Sequence, residues 1–398
     1  MKLLVGTAMA GDRYDVVVVG GGPAGSMAAR AAASRGARTL LLERDSNIGV
    51  PVRCGEAVSL RNLQPFVEIK DSWIAARVQG LVMYAPDGTA VRIDSREVGV
   101  VLERALFDRW LAESAAESGS DIITRADVEG LILTGGRVKG ITYTRLHHQH
   151  TVAADVVIGA DGVESRVGRW AGIRTQLSAS DLESAYQIIL AGIEYDSRFC
   201  HFYFGNEVAP GGYIWIFPKG SKTASVGIGV CARRCDAGDA YRRLTDFIKH
   251  RFGRPAMVGE MAGGVPVGKP LKNPVKDGFI LAGDAARHCN PLTGGGIATA
   301  MIGGNYAGMV AAEAAARGDC SAGRLQKYLD LIEEEIVKPH KRAYRLAEGV
   351  GKLSDEAMNW TAHEIGSLPE DQRNLRNIFL KGLSAQPRLM LDILRAFA

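Results

Sequence analysis

At 398 residues the chain is long enough for two or three subdomains around a large core. It is 46% hydrophobic and 23% charged, with a formal net charge of +4. That slight basicity gives no ground for a nucleic-acid partner and suits an anionic cofactor or phosphorylated substrate. No apolar run approaches the roughly 18 residues of a membrane-spanning helix. The six cysteines (Cys54, Cys200, Cys231, Cys235, Cys289, Cys320) are scattered and fit neither a disulfide framework nor a zinc or iron–sulfur site.

The opening MKLLVGTAMAGDRYD carries a lysine and a short apolar run, loosely like an export signal. A nucleotide-binding motif follows at once, so the expected location is cytoplasmic. Asp15 to Val19 is a β-branched run, as expected for a buried parallel strand, and Gly20, Gly22 and Gly25 follow at dinucleotide-fingerprint spacing. Gly20 permits the tight turn, Gly22 lets backbone approach a pyrophosphate, and Gly25 allows close helix–strand packing. A helix over Ser26–Ser34 offers its N-terminus to the phosphates. A second strand, Thr39–Leu42, ends at Glu43, where an acid is expected on a ribose hydroxyl.

The chain does not continue as a nicotinamide dehydrogenase would. An irregular stretch, SNIGVPVRCGEAVS, leads to a β-rich segment with a turn at Pro86-Asp87-Gly88, and then to an amphipathic helix entered by Glu103 and Arg104. ADVVIGADGVESRVGRWAG reads as a strand, an Asp161-Gly162 turn and a helix start. RLHHQHTV reads as an exposed hairpin, since alternating strand residues face opposite ways and no acid or cysteine completes a metal site. CHFYFGNEVAPGGYIWIFPKG alternates as antiparallel strands bearing Phe202, Phe204, Tyr213, Trp215 and Phe217. Late in the chain, GDAARHCNPLTGGGIATA sets three glycines at a helix start, each costing about 0.5–1 kcal/mol in a helix interior. Capping explains one; the others imply something flat or anionic held too close for a Cβ. The tail from about Gly323 is helical, broken at Pro339, with DQRNLRNIFLKGL and PRLMLDILRAF beyond.

These motifs together resemble the p-hydroxybenzoate-hydroxylase-type FAD proteins. PVRCGEAVS (51–59) and APGGYIWIFPKG (209–220) narrow the likeness to the geranylgeranyl reductase family, especially its archaeal digeranylgeranylglycerophospholipid reductases, over about Tyr14 to Tyr328. The resemblance implies FAD as cofactor. It implies an α/β fold: a Rossmann-like FAD-binding domain (14–75, 101–178, 276–322), an inserted antiparallel β-sheet substrate domain (76–100, 179–275) and a C-terminal helical region (323–398).

Carried over residue by residue, Asp284 contacts the ribityl chain, and Gly294, Gly295, Gly296 and Ile297 bring backbone against the isoalloxazine ring. A helix starting there points N–H groups at the ring edge that is anionic when reduced. Arg104 lies near the phosphates and ribose, Ala24 beside the pyrophosphate, Cys54, Gly55 and Ala57 around the flavin, and Val128 near the adenine. Asp161 is either a turn acid or a cofactor contact. Tyr213, Trp215 and Phe217 line a lipid pocket. Lys338 and Arg342, with His340 and Lys341, are expected to meet a phosphate headgroup or an anionic membrane surface at the inner face of the cell membrane.

The reaction implied is saturation of geranylgeranyl C=C bonds on an isoprenoid lipid substrate. An isolated alkene needs both a hydride and a positioned acid. Cys54 is the leading acid, since a thiol near its reference pKa of about 8.5 keeps its proton at neutral pH; His288 is the second. Aromatic faces at Tyr213 and Trp215 would stabilise developing cationic character. Reduced ferredoxin or another low-potential donor is expected to supply electrons, with NAD(P)H as the other source. The rivals are reduction of a chlorophyll precursor or of geranylgeranyl diphosphate, a flavin-dependent aromatic hydroxylase, and a non-enzymatic FAD electron carrier or redox-responsive module.

Overall fold

The computed structural model describes residues 13–374 together with 377, 378 and 381, with the side chains of 95–98 left out. The opening apolar run, PRLMLDILRAF and much of DQRNLRNIFLKGL lie outside the described residues. In chain order, β1 (Arg13–Val19), α1 (Pro23–Ala33) and β2 (Thr39–Leu42) form the opening unit. A loop leads to β3 (Ala57–Ser59), α2 (Leu60–Leu63) and the hairpin β4 (Ile74–Tyr84) and β5 (Ala90–Leu102). Then come α3 (Arg104–Glu117), β6 (Asp121–Ile123), β7 (Asp127–Thr134), β8 (Arg137–Arg145), β9 (His148–Gly159) and α4 (Arg166–Trp170). Next are β10 (Leu182–Ala191), β11 (Phe199–Tyr203), β12 (Tyr213–Pro218), β13 (Thr223–Cys231), α5 (Asp239–Phe252) and β14 (Ala256–Pro266). The last elements are β15 (Val275–Lys276), β16 (Phe279–Leu281), α6 (Ile297–Ala316), α7 (Ala322–Leu325), α8 (Lys327–Ile332), α9 (Lys338–Val350) and α10 (Asp355–Gly366).

The first sheet runs β15-β16-β9-β1-β2-β6, with β8 and β7 continuing from β9. β1 lies between β2 and β9, parallel to both, and is covered on both faces. That position explains why Val16–Val19 reads as one apolar run with no alternation. α1 and α6 pack side by side against this sheet. A Cβ on Gly304 would fall 2.0 Å from the Ala24 carbonyl oxygen, and one on Gly308 2.1 Å from that of Ala28. The two helices therefore meet backbone to backbone and run in the same direction. The histidine stretch is the β8–β9 hairpin, turned at Leu146-His147 with both φ values positive (49° and 65°).

The second sheet runs β14-β10-β13-β12-β11-β4-β5-β3 and draws on 57–102 and 182–266, so its first segment includes β3, ahead of the expected 76. Its pairs are antiparallel except β11 with β4. Strand alternation divides it into two unlike faces. Outward, Ile188, Leu190, Ile214, Ile216, Val226 and Ile228 pack on Leu244 and Ile248 of α5. Inward, β10 presents Glu183, Ala185 and Gln187, β12 presents Tyr213, Trp215 and Phe217, and β13 presents Gly227 and Gly229.

The tail differs from the reading at Pro339. The chain passes from α8 through a π-helical turn, Glu333–Val337, and Pro339 falls in the first turn of α9. The ring and the missing N–H are taken up by the wider turn just ahead of Pro339, so the helix runs on through it, deformed, where a break was expected.

Candidate active site between the two sheets

The nucleotide end is built from backbone. A Cβ on Gly25 would lie 1.8 Å from the Gly20 carbonyl oxygen, and one on Gly20 (φ +102°) 2.4 Å from that of Ala160, so both glycines are fixed by the protein's own packing. Gly22 differs. It caps α1, and a Cβ there would meet no protein atom within 4 Å. Its bareness leaves the α1 amides open to a phosphate. Glu43 accepts the Gly21 N–H at 2.6 Å and the Asp45 N–H at 2.9 Å, which anchors the acid beside the fingerprint turn. Ala126 donates its N–H to the Glu43 carbonyl, and Val128 lies two residues on with its side chain buried in the core. Ala24 is buried between Gly283 and α6.

The other end centres on the start of α6. Gly294 takes φ +67°, a conformation that favours glycine, and Gly296 caps the helix. The Asp284 carboxylate lies 3.4 Å from where a Gly296 Cβ would sit and has no hydrogen-bond donor among the described residues. Burial pushes its pKa up, partly offset by Arg104. Arg104 opens α3 and makes a bidentate pair with Asp108, 2.6 Å on each arm. Its charge also reaches Cys54, whose thiol is raised by burial more than Arg104 lowers it. Cys54 therefore keeps its proton, as the reading required.

The inner face of the second sheet closes over this space. Phe202, Phe204, Tyr213, Trp215 and Phe217 form one ring cluster with neighbouring centroids 5.4–6.0 Å apart. Tyr213 donates its hydroxyl to the Thr293 carbonyl at 2.5 Å, tying the sheet to the glycine loop. Gly55 lies under the Phe217 and Trp215 rings, where a Cβ would come within 2.9 Å of Phe217. Ala57 begins β3 beside the same cluster, and Ile297 begins α6 within the core cluster that includes Met27 and Met301. Cys289 and Glu183 act electrostatically on Tyr213, as does Cys54, so these groups share one enclosure.

Four residues outside the expected site hold the enclosure together. Gln187 accepts the Trp215 indole N–H at 3.1 Å and donates its amide to the Cys54 carbonyl at 3.1 Å. Glu56, buried with φ +73°, accepts the Arg104 N–H at 2.9 Å and pairs with Lys219 at 2.7 Å. Lys219 also reaches Glu103 at 3.0 Å. Asp108 is the fourth. Glu56 and Lys219 lie inside the motifs CGEAV and IFPKG, and Glu183 and Gln187 break an apolar strand at alternate positions. Those were the available signals.

Other residues take plainer places. His288 accepts the Gly283 N–H, and burial lowers its pKa to about 3, so it holds the loop and has no proton to give near neutrality. Asp161 accepts the Val167 N–H at 2.9 Å through one oxygen, the turn role, while the other is buried without a partner. Lys338 and Lys341 pair with Glu334 and Glu333, His340 is buried, and Arg342 is exposed on α9. All six cysteines are free thiols, and no metal-binding cluster occurs among the described residues.

The arrangement fits FAD on its own terms: bare amides at α1 for a pyrophosphate, an unpartnered carboxylate for a polyol, and glycine backbone at the α6 N-terminus for an anionic ring edge. Comparison with known proteins agrees. Residues 15–202 match the model of the FAD dependent oxidoreductases, and residues 181–265 that of the geranylgeranyl reductase catalytic domain. The digeranylgeranylglycerophospholipid reductase of Methanothrix thermoacetophila is 42% identical over 96% of this chain and 98% of its own. Digeranylgeranylglycerophospholipid reductase 1 of Methanococcoides burtonii is 44% identical over 96% and 95%. A geranylgeranyl bacteriochlorophyll reductase-like protein of Thermoplasma acidophilum superposes with a TM-score of 0.91 at 36% identity, covering 96% of this chain and 99% of its own. With relatives of 42% and 44% identity matched along nearly their whole length, and a site of this chain that suits FAD, the chain belongs to the geranylgeranyl reductase family of FAD-dependent oxidoreductases, among the digeranylgeranylglycerophospholipid reductases.

Proposed function

We propose that this protein saturates the C=C bonds of geranylgeranyl chains on a digeranylgeranylglycerol (phospho)lipid, with FAD as the hydride source. The observation that carries the reading is the aromatic roof, Tyr213-Trp215-Phe217, tied by Tyr213 to the glycine loop where the flavin is held. When bound and reduced, FAD supplies a hydride to one alkene carbon. The residues of the chain do the rest. Asp284 and Arg104 hold the cofactor's polyol and phosphates, Gly20, Gly22 and Gly25 its pyrophosphate, Glu43 its ribose, and Gly55 with Gly294–Gly296 the ring. Val128 sits beside the adenine. Tyr213, Trp215 and Phe217 align the isoprenoid chain, exclude water, and stabilise positive charge developing on the alkene through their ring faces.

Lys338 and Arg342, one turn apart on α9, attract the lipid headgroup and bring the protein to an anionic membrane surface. No helix among the described residues is long and apolar enough to cross a membrane, so such contact is peripheral. Electrons arrive from a low-potential carrier such as reduced ferredoxin, with NAD(P)H as the second candidate. The test is anaerobic incubation of the yellow holoprotein with dithionite and an unsaturated diether lipid, followed by mass spectrometry. Gain of two hydrogens per double bond is expected; no gain, or a product that forms only with O₂, overturns the reading.

A further inference from the structure

Among the described residues of β10, β12 and β13, the inner face of the second sheet carries one carboxylate. On β10, Glu183 stands two turns of the pleat from Gln187, whose amide already touches both Trp215 and the Cys54 loop. Alternation puts Glu183, Ala185 and Gln187 on the same side, toward the aromatic roof, and Ile188 and Leu190 on the other. Space for the acid is made by β13. A Cβ on Gly229 would fall 2.8 Å from the Glu183 Oε2 and 4.0 Å from the Trp215 ring, and one on Gly227 would lie 2.1 Å from that ring. Two glycines thus clear a floor on which an indole and a carboxyl lie side by side.

The carboxyl has no ion pair or hydrogen bond among the described residues, although every other acid at the site is satisfied by protein or aimed at the cofactor. The groups facing it are the Tyr213 phenol, which feels its charge, and the Cys289 thiol in the loop before α6. Cys231 of β13 is its register partner, and Val265 faces it from β14. The nearby cations turn elsewhere: Arg233 bonds to Ser180 and Arg234 to the Gly351 carbonyl. Burial alone moves its pKa, up to about 7. A half-buried acid without a partner, set among rings and glycines, is costly to keep as a structural element. It is well suited to giving up a proton.

We propose that Glu183 is the general acid of the reduction, delivering its Oε proton to the alkene carbon that does not receive the hydride. This assignment rests on the reductase reading above. In the step, the carboxyl O–H bond breaks and the alkene π pair forms a C–H bond with that proton. The other carbon takes the hydride supplied by reduced flavin, so two electrons and two hydrogens enter the substrate. The carboxylate left behind is reprotonated from water through its exposed edge. Cys54, the acid expected from the sequence, then acts in packing and polarity at the ring.

The test compares wild type, Glu183→Gln and Cys54→Ser holoproteins in the dithionite assay. Glu183→Gln is expected to keep its flavin and its lipid KM while kcat falls about 100-fold or more, the scale of a lost general acid. Wild type and Cys54→Ser should share a loss of kcat as pH rises through about 7, and Glu183→Gln should lack that limb. Infrared difference spectra of the holoprotein without substrate supply a second readout. A protonated-carboxyl band should be present below about pH 6, lost above about pH 8, and absent in Glu183→Gln. Retention of wild-type kcat by Glu183→Gln, a pH limb that moves with Cys54→Ser, or the absence of the band overturns the assignment. Failure of wild type to saturate the lipid while the band titrates overturns the reductase reading instead.

Discussion

The two sheets offer ligands opposite kinds of surface. The first offers main chain: Gly20 and Gly25 pack the fingerprint turn, and Gly22 and Gly294–Gly296 leave backbone bare at two helix starts. The second works through side chains, a plane of aromatics and one carboxyl set out by strand alternation, with Gly227 and Gly229 clearing room beneath them. On the function proposed, a cofactor common to many proteins would be held by features any backbone can offer, and the particular substrate would be met by rings and a proton. The contrast teaches that damage to the two sheets should separate cleanly into loss of colour and loss of chemistry.

The sharpest way to break that contrast is a matched pair. Gly25→Val drives a side chain into the Gly20 carbonyl and is expected to yield protein without flavin absorbance. Gly227→Val displaces Trp215 and should leave the protein yellow while lipid saturation falls about 100-fold, as a misplacement near 1 Å costs elsewhere. If Gly227→Val also emptied the protein of flavin, the two regions would be one unit. Next in size is Lys219→Met, which strands Glu56 without its buried partner at the seam between the sheets. A loss of about 3–5 kcal/mol in chemical denaturation is expected, and an unchanged midpoint would show that the seam tolerates a neutral acid.

Acid should unfold the first sheet's side of the molecule. His288 and His340 are held near pKa 3 and 4 by burial, below the ordinary 6.5. Their folded forms refuse a proton that the unfolded chain accepts below pH 6.5. Stability is therefore intact above that value and falls as pH drops toward 4, by up to about 1.4 kcal/mol per pH unit for each ring. His340→Leu should flatten part of that slope in a Tm-against-pH series. The smallest effect belongs to the Leu146-His147 turn, at the exposed tip of the β8–β9 hairpin. Replacing it with Asn-Gly removes two side chains from positive φ and should raise stability by about 1 kcal/mol with no change in turnover.

The same contrast explains what the sequence disclosed. Backbone turns leave glycine spacing as their signature, so the fingerprint turn, the strand that ends before Glu43 and the glycine-led start of α6 were readable in order as elements of the fold. Tyr213, Trp215 and Phe217 were readable because aromatics at every second position mark one face of a strand. Glu183 and Gln187 obey the same alternation, but a single acid in a strand carries no chemistry until β13 is laid beside it. Glu56 and Lys219 lie 163 residues apart, and only the fold brings them together. Pro339 misled because a proline reads as a helix stop, while the π-helical turn ahead of it, which lets the helix run on, has no signature in the sequence.

The contact between α1 and α6 also acts as a gauge. Ala24 is the second residue of α1, and Gly304, which touches it, is the eighth of α6. Side by side and codirectional, the helices are offset by six residues, so the α6 start projects about 9 Å beyond that of α1 at 1.5 Å per residue. With phosphate at one start and a ring at the other, as proposed, this stagger is part of the span that the cofactor's spacer would bridge. Gly304 and Gly308, held against main chain, make the stagger a fixed property of the protein, so a dinucleotide with a much shorter or longer spacer is expected to bind more weakly.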